Sequence, residues 1–347
     1  MKHSVSHYII LKNYVMLFLS IVLGLVYSAS SAGETLAVKA LNYAPEPLTL
    51  PAYTAFMSNQ MWLFMIPICL YIRWSYTGHD YIHHYVNGGI LLFLITILRN
   101  ISVNVMPGSV FSLLISTSIL FNMGISWFWL KKKFNYWHMG AAACCIASAG
   151  CIAITAFLTT SEGSVNFALG IPTAIGSAFF IAVMSVWQEK IQAEFDDVNQ
   201  RLVEMAIISS MIASILILGY AEASRELSTW GRELGKATTD SAGMGLIVGV
   251  TIALPVLKLL VRNSKYIIIQ NSNAFFFEFV QASSALLSSL ASIVLFGEPW
   301  GHGYIASLIL MALSFALYSR AKYCVKRPEI VVEPMVVVNP LNVSVWR

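Results

Sequence analysis

Residues 107–130 read PGSVFSLLISTSILFNMGISWFWL, and Lys131, Lys132 and Lys133 follow at once. An uncharged run of this length lets a helix cross a hydrocarbon core about 30 Å thick, and the basic triplet marks its cytosolic exit. Ten apolar stretches of the same kind run over 14–33, 53–72, 85–103, 107–130, 136–158, 165–187, 202–220, 243–260, 273–296 and 304–318. They are continuous, without the alternation and roughly ten-residue length of an outer-membrane strand, so they predict helices.

Composition agrees. Of 347 residues, 57% are apolar and 11% charged, where soluble domains hold about 45–50% and about 25%. Mean hydropathy is +0.71. These values exclude a disordered tail protein and a nucleic-acid binder, and they predict an all-α integral membrane protein with the lipid bilayer as its main partner. The cysteines (Cys69, Cys144, Cys145, Cys151, Cys324) fall in apolar runs or just past the last, with no disulfide framework and no metal-ligand spacing. His79, Asp80, His83 and His84 form the one metal-like string, but a di-iron histidine box needs about eight clustered imidazoles. His3, His7, His138 and His302 are scattered. The string reads as a polar loop; neither metal nor cofactor is expected. No nucleophile and base pair marks an enzyme.

The charges orient the chain. Fifteen Lys and Arg fall in segments on one side (Arg262 and Lys265 among them, as the basic exit of the eighth stretch), four fall on the other, and Arg99 and Lys258 lie within spans. This asymmetry puts both termini, 1–13 and 321–347, in the cytosol. The first stretch has a second reading as a signal peptide, since Lys2 and Lys12 precede it and residues 28–32 are small; cleavage would leave nine spans. Segment 221–242 carries Leu227, Trp230 and Leu234 at helical spacing and predicts an amphipathic helix on the outer surface. The sequon Asn342-Val343-Ser344 lies in the cytosolic tail on this topology.

A shift of 166 residues lays 107–158 on 273–324: Ser118, Ser126 and Ser148 fall on Ser284, Ser292 and Ser314, and Lys131-Lys132-Lys133 falls on Gly297-Glu298-Pro299. An odd number of spans per half puts these basic and acidic turns on opposite faces. The expectation is a 5+5 inverted repeat, 14–158 and 165–320, with a site near the midplane lined by spans 1, 3, 4, 6, 8 and 9. The alternative is ten helices without symmetry.

Charges inside spans are costly and mark candidate sites. Glu278 shares a helical face with Gln281 and Ser284. Ser112, Ser116 and Asn122 form a polar stripe that the shift repeats as Glu278, Ala282 and Ser288. Lys258 reads as a snorkelling side chain, a partner of Glu278, or a group binding an anionic substrate. Arg99, with Asn100 and Asn104, reads as an anchor at the outer boundary or a site residue. Glu34 reads as a binder of a proton or a cationic substrate, or as a group facing water. The deeper, shorter-stemmed Glu278 favours proton-sensitive transport of cationic or zwitterionic solutes.

The turn Phe296-Gly297-Glu298-Pro299-Trp300 resembles the Gly-Glu-Pro turn of the drug/metabolite transporter superfamily, and Ser185-Val186-Trp187-Gln188-Glu189-Lys190 is similar to the Glu-Lys pair that those carriers place at the end of span 6. Within the superfamily, residues 29–45 ahead of a polar-led second span, the basic exit of span 4, the surface helix between spans 7 and 8, and Val280-Gln281-Ala282 look like chloroquine-resistance-transporter-like proteins. Lys258 stands where that family has an acidic residue. The resemblance implies the drug/metabolite transporter fold and a secondary transporter moving amino acids, peptides or basic drugs by alternating access across an endomembrane, vacuolar or Golgi, with the plasma membrane as the other location. Two relatives imply other substrates: a nucleotide-sugar antiporter, whose diphosphate Lys258, Arg99 and Lys190 would serve, and a purine-type permease. A non-transporting receptor or scaffold is the reading from outside transport.

Overall fold

A computed structural model describes residues 22–38, 40–41, 50–71, 81–106, 108–159, 166–194, 198–237, 241–296 and 302–324. Its helices are α1 (Val22–Val38), α2 (Pro51–Asn59), α3 (Trp62–Tyr71), α4 (Ile82–Val105), α5 (Gly108–Ser116), α6 (Ser118–Trp129), α7 (Tyr136–Thr159), α8 (Phe167–Gln192), α9 (Val198–Ala223), α10 (Leu227–Ala237), α11 (Ser241–Asn271), α12 (Ala274–Phe296) and α13 (His302–Cys324). No strand occurs among the described residues. Among the described residues, five stretches are long and apolar enough to cross a membrane: Ile82–Val105, Phe167–Gln192, Arg201–Ala223, Met244–Asn271 and His302–Ala321. Phe128, Leu158 and Val294 point outward almost fully exposed, as side chains in contact with lipid do.

Three expectations need correction. The second stretch begins at Pro51 and is cut into α2 and α3 by a turn at Gln60, whose N–H bonds Met57 O at 3.1 Å. The fourth is cut into α5 and α6 at Thr117, whose N–H and Oγ1 both donate to Leu114 O, at 3.2 and 2.6 Å; a hydroxyl competing for a helical carbonyl tightens the turn locally. The eighth does not stop at residue 260. Nothing between Leu260 and Asn271 breaks a helix, so α11 runs for 31 residues and takes Arg262 and Lys265 inside the protein. Removing these two from the cytosolic side leaves the basic asymmetry at thirteen to four.

Small residues set the closest crossings, as expected where helices pack without a hydrophobic drive. A Cβ on Gly89 of α4 would sit 2.7 Å from Ile212 of α9, and one on Gly303 of α13 only 1.8 Å from Thr155 Oγ1 of α7. Along the α7–α13 seam Ser148 Oγ donates to Ser307 O at 2.8 Å and Ser314 Oγ to Ala141 O at 2.7 Å. The shift of 166 carries one of these bonds onto the other.

The segment expected at the surface forms α10. Trp230 packs edge-on against Tyr53 of α2, ring centroids 5.4 Å apart, and Leu234 joins the apolar cluster of α2, α5 and α11. Glu226, just ahead of α10, accepts the N–H groups of Ala52 and Tyr53 at 2.8 and 3.1 Å and so caps α2. Burial pushes its carboxyl above the ordinary range, against the pull of these N–H donors and the Trp230 indole.

Candidate functional site

One cavity, about 930 Å³ of empty space including the part open to solvent, lies between α1, α4, α5, α6, α8, α11 and α12. These are the helices of spans 1, 3, 4, 6, 8 and 9. The break at Thr117 places Ser116 and Ser118 on its wall; interrupted helices offer polar groups at membrane depth in this way. Every lining residue of α4, α5 and α6 has a lining counterpart 166 positions on: Leu92 and Lys258, Ile95 and Val261, Arg99 and Lys265, Phe111 and Phe277, Ile115 and Gln281, Ser116 and Ala282, Ser118 and Ser284.

The cavity is cationic. Arg99, Lys258, Arg262 and Lys265 all line it. Lys258, Arg262 and Lys265 follow at i, i+4 and i+7, one face of α11 over two turns. Glu34 of α1, 4% exposed, bridges two of the four: Lys258 Nζ donates to Oε1 at 3.0 Å and Arg99 to Oε2 at 3.1 Å, with Thr35 Oγ1 accepting from the same guanidinium at 2.9 Å. The other two have no carboxylate within 4 Å among the described residues. Arg262 donates to Tyr266 Oη and Ser210 Oγ, both at 2.8 Å, and to Met205 O at 3.2 Å. Lys265 holds its ammonium 4.8 Å from the centroid of the buried Phe277 ring.

Glu278 is 1% exposed and is not part of the lining. It accepts from Ser118 Oγ at 2.6 Å and Asn122 Nδ2 at 3.3 Å, and Asn122 Oδ1 in turn accepts from Ser126 at 3.2 Å. This chain ties α6 to α12 behind the wall. Gln281 lines the cavity and accepts from Tyr27 Oη at 3.4 Å; Ser284 also lines it but bonds its own helix, at Gln281 O, 2.6 Å away. Gln188 of α8 lines the cavity at 1% exposure, and neither of its amide atoms has a partner. An unsatisfied buried polar group costs about 1–3 kcal/mol.

Several single-residue expectations change. Lys258 neither snorkels nor meets Glu278: its ammonium is buried on Glu34, because α11 continues beyond it. Glu34 does not face water. Arg99 bonds Glu34 and Thr35 and lines the cavity. Lys190 is exposed over the Trp129 ring at 5.3 Å and is not part of this lining. Its neighbour Glu189 clamps one end of the bundle, accepting from Lys132 Nζ and from the Ala274 N–H at 2.9 Å. His79, Asp80, the turn 297–299, the sequon and the side chains of Ser112 and Ser292 lie outside the described residues; among these, no His, Cys, Asp or Glu group is placed to hold a metal. Sequence reasoning missed Arg262, Lys265, Tyr27 and Gln188. The i, i+4, i+7 spacing from Lys258 was the available signal for the first two.

A cationic cavity between packed apolar helices suits a multi-pass membrane transporter. The chain belongs to the UAA transporter family, whose sequence model matches residues 52–322. That match carries the drug/metabolite transporter superfamily and not the closer likeness to chloroquine-resistance-transporter-like proteins. A solved crystal structure, 15% identical, superposes over 88% of this chain and 99% of its own with a TM-score of 0.62, a likeness of fold alone. No curated protein matches.

Proposed function

We propose that this protein carries an anionic, phosphate-bearing organic solute of the nucleotide-sugar type across an endomembrane, the Golgi membrane in the first instance. The observation that carries this reading is the charge of the cavity: four cations line it, and a single carboxylate, Glu34, neutralises part of two of them. No carboxylate lies within 4 Å of Arg262 or Lys265 among the described residues, so their two charges, with the N–H groups that Arg262 does not give to Tyr266, Ser210 and Met205, match the two charges of a diphosphate, and guanidinium and ammonium groups are its natural partners. Low-dielectric walls strengthen that attraction. The cationic or zwitterionic solute suggested by Glu278 would meet like charge here, and Glu278 is already bonded to Ser118 and Asn122.

The carrier works by alternating access between two inverted halves, 14–158 and 165–320, with ten spans and both termini in the cytosol. Packing supports this. The helix α4 packs on α8 and α9; its counterpart α11 packs on α2 and, through Leu257 against Gly33, on α1. Likewise Phe121 of α6 meets Phe179 of α8 at 5.6 Å, and Tyr27 of α1 meets Phe277 of α12 at 4.9 Å.

Proteoliposome uptake tests the reading, with labelled nucleotide sugars, amino acids and nucleobases and with or without a pH gradient. Nucleotide-sugar uptake should saturate and should be accelerated by nucleoside monophosphate inside the vesicles. Uptake of amino acids or cationic drugs that follows the pH gradient and is lost in Glu278→Gln would overturn it.

A further inference from the structure

We propose that Gln188 reads the base of the solute, pairing its side-chain amide with adjacent donor and acceptor atoms on the Watson–Crick edge of a nucleobase; this rests on the nucleotide-sugar reading above. Three observations converge. Gln188 lines the cavity and is 1% exposed, yet neither Oε1 nor Nε2 has a hydrogen-bond partner. The second lining glutamine, Gln281, accepts from Tyr27 Oη, so the unpaired state is particular to Gln188. Finally, Ile181 and Met184 sit seven and four residues before it on the same face of α8, and Leu92 and Ile95 line the cavity from α4. A flat ring finds apolar contact there, with an amide at its edge.

The chemistry divides the cavity. Three of the four cations lie on α11, spread over about 10 Å of helix axis from Lys258 to Lys265, and take the phosphates; the fourth, Arg99 of α4, is held by Glu34 and Thr35. The free amide lies on α8 and offers one donor and one acceptor side by side, the pattern with which glutamine recognises base edges in a bidentate manner. Buried polar groups awaiting a complementary ligand discriminate strongly, because the wrong ligand leaves them unpaired. Gln188 is thus a specificity-determining residue. Lys265 and Arg262 set affinity for every nucleotide alike.

The test is competition against labelled nucleotide-sugar uptake in proteoliposomes by UMP, CMP, GMP and AMP, with ribose 5-phosphate as the probe without a base. Wild type should prefer one base by about tenfold or more. Gln188→Leu should bring the four within about threefold of one another and leave inhibition by ribose 5-phosphate unchanged. Gln188→Glu, which keeps the size but offers acceptors only, should change which base is preferred. If Gln188→Leu melts early in detergent, Gln188→Glu alone decides. Wild-type preference retained in both variants overturns the assignment while leaving the carrier reading intact. Indifference of wild type to the base does the same. Absence of inhibition by any nucleotide or by ribose 5-phosphate overturns the carrier reading and this assignment together.

Discussion

The wall built by α4, α5 and α6 offers the cavity Leu92, Ile95, Phe111 and Ile115 with Ser116, Ser118 and a single cation, Arg99, whereas the wall of α11 and α12 offers three cations, Lys258, Arg262 and Lys265, with Gln281, Ser284 and Ser288 beside Val261, Phe277 and Ala282. Positions 166 apart line the same cavity, four pairs with like chemistry (Ile95 and Val261, Arg99 and Lys265, Phe111 and Phe277, Ser118 and Ser284) and three with different chemistry. Leu92 faces Lys258 across the correspondence, and Ile115 faces Gln281. On the inverted-repeat reading proposed above, the repeat supplies the places and substitution within one copy supplies the polarity. One wall is suited to a ring, the other to its phosphates.

The strongest way to break the comparison is to make the walls alike. Lys258→Leu copies Leu92 into the second wall and leaves Glu34 with Arg99 alone. Removing one partner of a buried ion pair costs about 3–5 kcal/mol, so the detergent-purified protein should melt at clearly lower temperature and lose uptake by about 100-fold or more. Near-normal transport by this variant would mean that the polarity of the second wall is irrelevant.

A milder exchange sharpens it. Lys265→Arg reproduces the cation that Arg99 supplies in the first wall and should keep KM for a nucleotide sugar within about threefold. Lys265→Leu should raise KM about tenfold, or about 1.4 kcal/mol of lost solute binding. An unchanged KM in Lys265→Leu would remove this ammonium from the site.

Confined to stability is the contrast between two serines related by the shift. Ser118 donates to a buried carboxylate, so Ser118→Ala should cost about 1.5–3 kcal/mol of stability. Ser284 bonds a carbonyl of its own helix, already held by the backbone, and Ser284→Ala should cost less than about 0.5 kcal/mol. Equal shifts in denaturation would show that the two positions are equivalent after all.

Much of this was legible in sequence, and for different reasons. Length and apolarity reveal helices because hydrocarbon admits little else, and the helices found here fall on the expected stretches. Lys258 and Arg99 were legible because a charge in an apolar run is conspicuous. Their partner was not: Glu34 lies 65 positions from Arg99 and 224 from Lys258, and sequence periodicity says nothing about contacts at such distances. Arg262 and Lys265 were hidden by their own polarity, since three cations in eight residues look like an aqueous exit when they are one helical face. The breaks at Gln60 and Thr117 were hidden too, because neither carries a proline or glycine. Gln188 is invisible to any hydropathy argument; its distinction is the absence of a partner.

The seam between α7 and α13 has a consequence for ancestry. Ser148 reaches the carbonyl of residue 307 and Ser314 reaches the carbonyl of residue 141, so position i of one helix meets position j of the other, and j meets i. That reciprocity is the mark of an isologous contact between two copies of one protein. Neither helix lines the cavity, so solute recognition makes no demand on the seam. Such a seam is what a dimer of half-length chains would leave behind, and a forebear of that kind is what the inverted-repeat reading proposed above requires.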